Sequence, residues 1–131
     1  MTRREAREQA FILIFEKSFQ IESEISELVG FAEQNNIFDA EDFSVKLAVD
    51  TFENIEKIDE LISANLKGWN YSRISKVAKA ILRMAVCEML LYEDIPVSVS
   101  INEAVEIAKK FAGEKDPSYI NGVLGSIAKS I

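Results

Sequence analysis

Histidine is absent from this 131-residue chain, and cysteine occurs once, at Cys87. Without histidine, Ser-His-Asp and Cys-His nucleophile systems cannot be assembled, and His-ligated zinc or haem sites are excluded. A lone cysteine cannot form an intramolecular disulfide or a thiolate cluster, and it fits a reducing, cytoplasmic setting. Five glycines and two prolines are too few for an all-β sandwich with a turn every ten or so residues. No apolar run approaches the ~18 residues that a membrane span needs. The longest, Ala85 to Tyr92, is interrupted by Glu88 and followed by Glu93 and Asp94. The opening Met1-Thr2-Arg3-Arg4-Glu5 leads into acidic residues rather than the apolar core of a signal peptide. Neither a Gly-x-x-x-x-Gly-Lys-Ser/Thr loop nor a Gly-x-Gly-x-x-Gly turn occurs. Catalysis and cofactor binding are therefore not expected.

What is present is typical of a globular domain. Hydrophobic residues make up 48% and charged residues 28%, enough to bury a core without staples. Net charge is −7, which argues against a self-sufficient nucleic-acid binder and suits a basic protein partner. The cations are unevenly placed, and three arginines fall in the first seven residues.

Periodicity predicts an all-α chain of six to seven helices forming a single domain over 1–131, with halves of about 1–67 and 68–131. Thr2-Arg3-Arg4-Glu5 reads as a capping box that opens a helix running from Arg3 to Phe19. Phe11, Phe15 and Phe19 recur every four residues, and the helix is apolar all round near Leu13, so it should have neighbours on several sides. Its first two turns, Arg3 through Gln9 apart from Ala6, should project into water. A shorter helix spans Ser23 to Asn36. One long helix, bent or straight, is expected from Glu41 to Leu66, starting at the acidic Asp39-Ala40-Glu41-Asp42. Lys67 to Tyr71 is expected to break the chain between halves, with Trp69 as a plug. Ser72 opens the next helix, which ends near Glu93. Ser100-Ile101-Asn102-Glu103 reads as a second capping box, leading to Phe111 and Gly113. Asp116-Pro117 starts the last helix, with Asp116 as N-cap, and it runs to about Lys129.

Arg3, Arg4 and Arg7 stand where the helix dipole disfavours cations, by about 0.3–1 kcal/mol each. An external anion such as phosphate would account for them, and so would a solvated helix end with Arg4 paired to Glu8. Lys76, Lys79 and Arg83 form a stripe at helical spacing, with Arg73 nearby. They suit RNA or partner contact, or the wet face of an amphipathic helix. Arg83, between apolar residues, suits a structural ion pair equally well. Cys87 falls in an apolar stripe and reads as inert core.

Three segments together resemble the NusB family of bacterial transcription antitermination factors. They are Arg3 to Ala10, Ile74 to Met89, and Ile95 to Lys109 followed by Tyr119-Ile120-Asn121-Gly122-Val123-Leu124. The resemblance implies two small helical bundles packed together and no catalysis. It implies binding to single-stranded boxA-type RNA of nascent ribosomal RNA transcripts, jointly with the ribosomal protein NusE. It also implies assembly with RNA polymerase and other Nus factors, and in some members a homodimer. A helical protein–protein adaptor without RNA contact is the alternative. The RNA-binding candidates are Arg3, Arg4, Arg7, Phe15 and Tyr119, carried over by position, and Lys76, taken from the helical stripe. Tyr119 takes the place of an aromatic implicated in RNA contact, and a half-buried core role is the other reading. Phe15 stands where relatives often have tyrosine, so any hydroxyl hydrogen bond is lost, and its spacing from Phe11 favours packing. Glu5 replaces a frequent basic residue, which predicts weaker RNA binding by the chain alone. The phosphate reading fails if the first helix is tucked inside a permanent interface with its guanidinium groups neutralised by the chain's own acids.

Overall fold

The computed structural model describes residues 1–35, 42–66 and 73–131. Within them lie seven helices and no strand: α1 (Arg3–Phe19), α2 (Ile25–Gln34), α3 (Asp42–Glu53), α4 (Ile55–Ala64), α5 (Lys76–Leu91), α6 (Val97–Phe111) and α7 (Asp116–Ser130). The expected helix start at Asp39 to Glu41, the break at Lys67 to Tyr71, the Trp69 plug and the Ser72 start lie outside the described residues.

Helix α1 begins as its sequence predicts. The Thr2 hydroxyl accepts from the Glu5 N–H at 3.1 Å, and the Thr2 N–H donates to the Glu5 carboxylate at 3.1 Å. At the other end, Lys17 Nζ donates to the carbonyls of Ile21 at 2.9 Å and Ser23 at 2.6 Å, placing a cation at the negative end of the dipole. The expected water-facing opening turns are corrected at two positions, because Arg7 and Gln9 are buried.

The long helix expected to end at Leu66 is interrupted at Asn54, which separates α3 from α4. The Asn54 side chain donates to the Asp50 carbonyl at 2.9 Å, the local competition with the backbone ladder that asparagine offers inside helices. Helix α5 takes Ser75 as its N-cap, with the hydroxyl accepting from the Ala78 N–H at 3.1 Å. The second expected capping box does not form. Helix α6 starts after Pro96, so Ser100 and Glu103 sit inside it, and their side chains turn to other helices. Proline has no N–H and a preset φ, which makes the turn at Pro96 the cheaper place to start. In α7 the N-cap is Lys115 rather than Asp116, with Pro117 still in the first turn.

Helix α5 organises the packing. Ala78, Ala80, Ile81, Leu82, Met84, Ala85, Val86 and Cys87 are all buried, so most of the helix circumference faces the core and only the strip of Lys76, Lys79 and Arg83 is polar and less buried. It contacts α1, α3 and α4 from the first half and α6 and α7 from the second. One buried cluster runs through both halves, from Phe11, Leu13 and Ile14 through Leu47, Ile58 and Ile62 to Ile107, Ile120, Leu124 and Ile127.

Candidate nucleic-acid interface

Burying α5 brings Glu88 into the interior at 1% exposure, where an unpaired carboxylate would be very costly. Arg7 meets it. The Arg7 guanidinium donates from Nε at 2.9 Å and from a terminal nitrogen at 3.0 Å, in the fork geometry that suits a carboxylate. Ser100 donates its hydroxyl to the same Glu88 at 3.1 Å. A single carboxylate thus joins α1, α5 and α6. Arg7 is 4% exposed, and its charge is spent inside the protein. Sequence reading placed it on the wet face because its partner lies 81 residues away.

Arg4 is paired as well, though at the surface. Its guanidinium makes two bonds to Glu103, at 3.2 and 2.7 Å, and Glu103 lies 3.7 Å from Arg7. The expected local partner, Glu8, instead accepts from Lys110 of α6 at 2.6 Å. The Arg4 hydrogen bond and charge hold Glu103 below the usual carboxylate range, against the effect of burial. Arg3 takes a third environment. Its guanidinium lies over the Phe43 ring, 3.9 Å from the centroid, beside a cleft of about 600 Å³ that also includes Tyr92, Leu91 and Val99. Of the three arginines, two are thus engaged by the chain's own acids.

Down α1 from Arg4, the aromatic stripe forms a ladder. Phe11 packs 5.2 Å from Phe111 of α6 and 6.0 Å from Phe15, and Phe15 meets Phe19 edge-on at 5.0 Å. Phe15 is half-buried against the core, while Phe19 is largely exposed. Lys76, at the start of α5, lies over Phe19 at 4.9 Å. Arg4 to Phe19 spans fifteen residue steps, about 22 Å of helix. A separate cleft of about 720 Å³ is lined by Arg73, Ser75 and Tyr119 together with Glu114, Lys115 and Asp116, so both signs of charge face it. The Tyr119 ring is half-buried, and burial pushes its hydroxyl pKa up.

The structure therefore sets Arg4 and Phe15 along one face of α1 with Lys76 against its far end, places Tyr119 in a separate cleft beside Arg73 and Lys115, turns Arg3 onto another cleft, and takes Arg7 inside. Arg83 makes the structural pair that its apolar surroundings allowed, with two bonds of 2.9 Å to Asp59. Lys79 is partly buried, and desolvation lowers its pKa, assisted by Arg83 and Lys76. Lys110, Phe111 and Glu103 join the edge without having been candidates. Their contacts with α1 cross about a hundred residues and leave no local signature. Among the described residues, no group of three or more His, Cys, Asp or Glu could hold a metal ion, and no helix is long and apolar enough to cross a membrane.

Fold and edge together define a class: an all-helical protein, among its described residues, that packs around α5 and presents cations and aromatics on the exposed face of its first helix. The family model described as NusB matches residues 4–129. A transcription antitermination protein NusB of Acetivibrio thermocellus is 42% identical over 130 residues, covering 98% of this chain and 90% of that protein. Its counterpart in Exiguobacterium sp. is 43% identical over 129 residues, covering 98% of each. NusB of T. maritima superposes with a TM-score of 0.81 at 32% identity, over 98% of this chain and 92% of that one. A structure of antitermination factors NusB and NusE in complex with dsRNA matches with a TM-score of 0.83 at 27% identity, over the whole of both chains. The chain belongs to the NusB family.

Proposed function

We propose that this protein is a cytoplasmic transcription antitermination factor that acts by assembly rather than catalysis. It binds boxA-type RNA of nascent ribosomal RNA transcripts together with NusE, and joins RNA polymerase with the other Nus factors. The observation that carries this reading is the full-length likeness to the NusB chain solved with NusE and dsRNA. The exposed edge of α1 supports it. Arg4, Lys110 and Lys76 supply phosphate partners, and Phe15, Phe19 and Tyr119 supply faces on which unstacked bases can rest, at about 1–3 kcal/mol per base. Arg3 contributes from the adjacent cleft. Arg7 serves as a positioning residue, fixing α1 against α5 and α6.

Net charge of −7 divides the labour: a basic partner docks on acidic surface and brings cations of its own to the RNA. The test is a titration of single-stranded boxA RNA with the chain alone and with the chain saturated by NusE. Affinity rises sharply with the partner; equal affinity in the two titrations contradicts the proposal.

The engagement of Arg4 and Arg7 by internal acids favours a second reading, an adaptor that touches only proteins. Capture of partners with and without nuclease separates the two, since nuclease leaves the partners of a pure adaptor unchanged.

A further inference from the structure

We infer that Glu103 acts as a built-in competitor for RNA phosphate at Arg4, setting the affinity of the α1 edge below what its cations would otherwise give. The inference rests on the RNA-binding reading above and deepens it.

The geometry is that of an occupied anion site. The Glu103 carboxylate takes two donors of the Arg4 guanidinium, at 3.2 and 2.7 Å, in the fork arrangement a phosphate would use. The Arg4 side chain is 53% exposed, whereas that of Glu103 is 13% exposed, so the arginine is reachable from solvent while its acid is backed by protein. The competitor is also held in place. It is anchored on α6 and stands 3.7 Å from the buried Arg7, whose charge favours its ionised form. Arg7 does not need Glu103 for neutralisation, because Glu88 already supplies that. A phosphate approaching Arg4 must therefore either displace Glu103 or share the guanidinium with a negative charge a few ångströms away. Arg4 is more than half exposed, so solvent screens the pair enough for it to yield, and RNA binding is reduced rather than blocked. Lys110, held by Glu8 at 2.6 Å, repeats the pattern one step along the same seam.

Replacing the acid by its amide separates charge from orientation. In Glu103→Gln, the amide oxygen can still accept from Arg4, so the guanidinium stays in place while the competing charge is gone. With the full chain and a fluorescein-labelled single-stranded boxA RNA, E103Q is expected to bind several-fold more tightly than wild type. Its plot of log affinity against log salt should steepen by a fraction of the roughly 0.7 that one full phosphate contact contributes on single-stranded nucleic acid. Glu60→Gln, which removes one exposed carboxylate on α4, is the control for net charge and leaves both quantities unchanged. Adding Arg4→Ala to E103Q abolishes the gain.

Unchanged or weaker binding by E103Q, while Arg4→Ala alone still weakens binding, overturns the competitor and leaves the RNA edge standing. Binding by Arg4→Ala equal to wild type overturns both. A second readout needs no variant. The carboxyl resonance of Glu103 in the wild-type chain should titrate at higher pH in the RNA complex than in the free protein, because Arg4 has been taken away. An unmoved titration contradicts the inference.

Discussion

At Arg7, a residue that looks like surface by its neighbours in sequence becomes interior by its partners in space. Breaking a buried pair strands the remaining charge, at a cost of about 3–5 kcal/mol, against a total stability of roughly 5–15 for a domain. Glu88→Gln should therefore lower the urea midpoint by an amount equivalent to about 3 kcal/mol, measured by far-UV circular dichroism. A loss below about 1 kcal/mol would mean that the pair does not join α1 to α5 as described. Cys87 offers a second residue-scale test. It is fully buried, and burial pushes its thiol pKa up to about 11. Native protein at pH 8 should resist maleimide over a time in which urea-unfolded protein is fully labelled, and rapid native labelling would contradict its place in the core. The inertness of Cys87 was readable from the apolar stripe around it. The role of Arg7 was not, because the glutamate that decides it stands 81 residues away.

Elements were legible where the chemistry that starts or stops them is local. Thr2 and Glu5 gave the first residue of α1, and the four-residue spacing of phenylalanines gave its aromatic face. The limits failed where two local signals competed. Ser100 and Glu103 have the spacing of a capping box, yet Pro96 starts α6 a turn earlier and frees both side chains for Glu88 and Arg4. Uninterrupted apolar periodicity through Asn54 concealed a break at which the Asn54 side chain donates to the Asp50 carbonyl. Helix α5 carries the most packing, so its cap should matter. Ser75→Ala removes the acceptor for the Ala78 N–H and should cost about 1 kcal/mol in thermal or chemical unfolding, with Ser75→Asp restoring most of it. An unaffected midpoint would show that the α5 start is fixed by packing alone.

On the scale of the molecule, an acidic protein holds a cationic edge by spending some of its acids on it. That arrangement has a pH signature. Glu103 titrates below the ordinary carboxylate value of 4.5, chiefly through the Arg4 hydrogen bond, so its stabilising contribution is complete above about 4.5 and is lost as pH falls through the lowered folded value. Thermal unfolding of the wild type should fall in that acid range, and E103Q should lose part of the dependence while matching the shape of the wild-type curve near neutrality. The all-α architecture and the family were visible in the motifs, because helix period and the Asn-Gly-Val-Leu segment are local. The edge itself was only half visible. Arg4, Phe15 and Lys76 could be named from sequence as candidates and lie on or against the exposed face of α1, whereas Tyr119 lines a separate cleft and Glu103, Lys110 and Phe111 come to α1 only through the packing of α6. The central claim is that this edge holds RNA phosphates. Its most direct test is the salt dependence of boxA RNA binding by wild type and an Arg3→Ala, Arg4→Ala double variant, each saturated with NusE. The account predicts weaker binding by the variant and a slope shallower by roughly one; identical affinity and slope for the two proteins would contradict it.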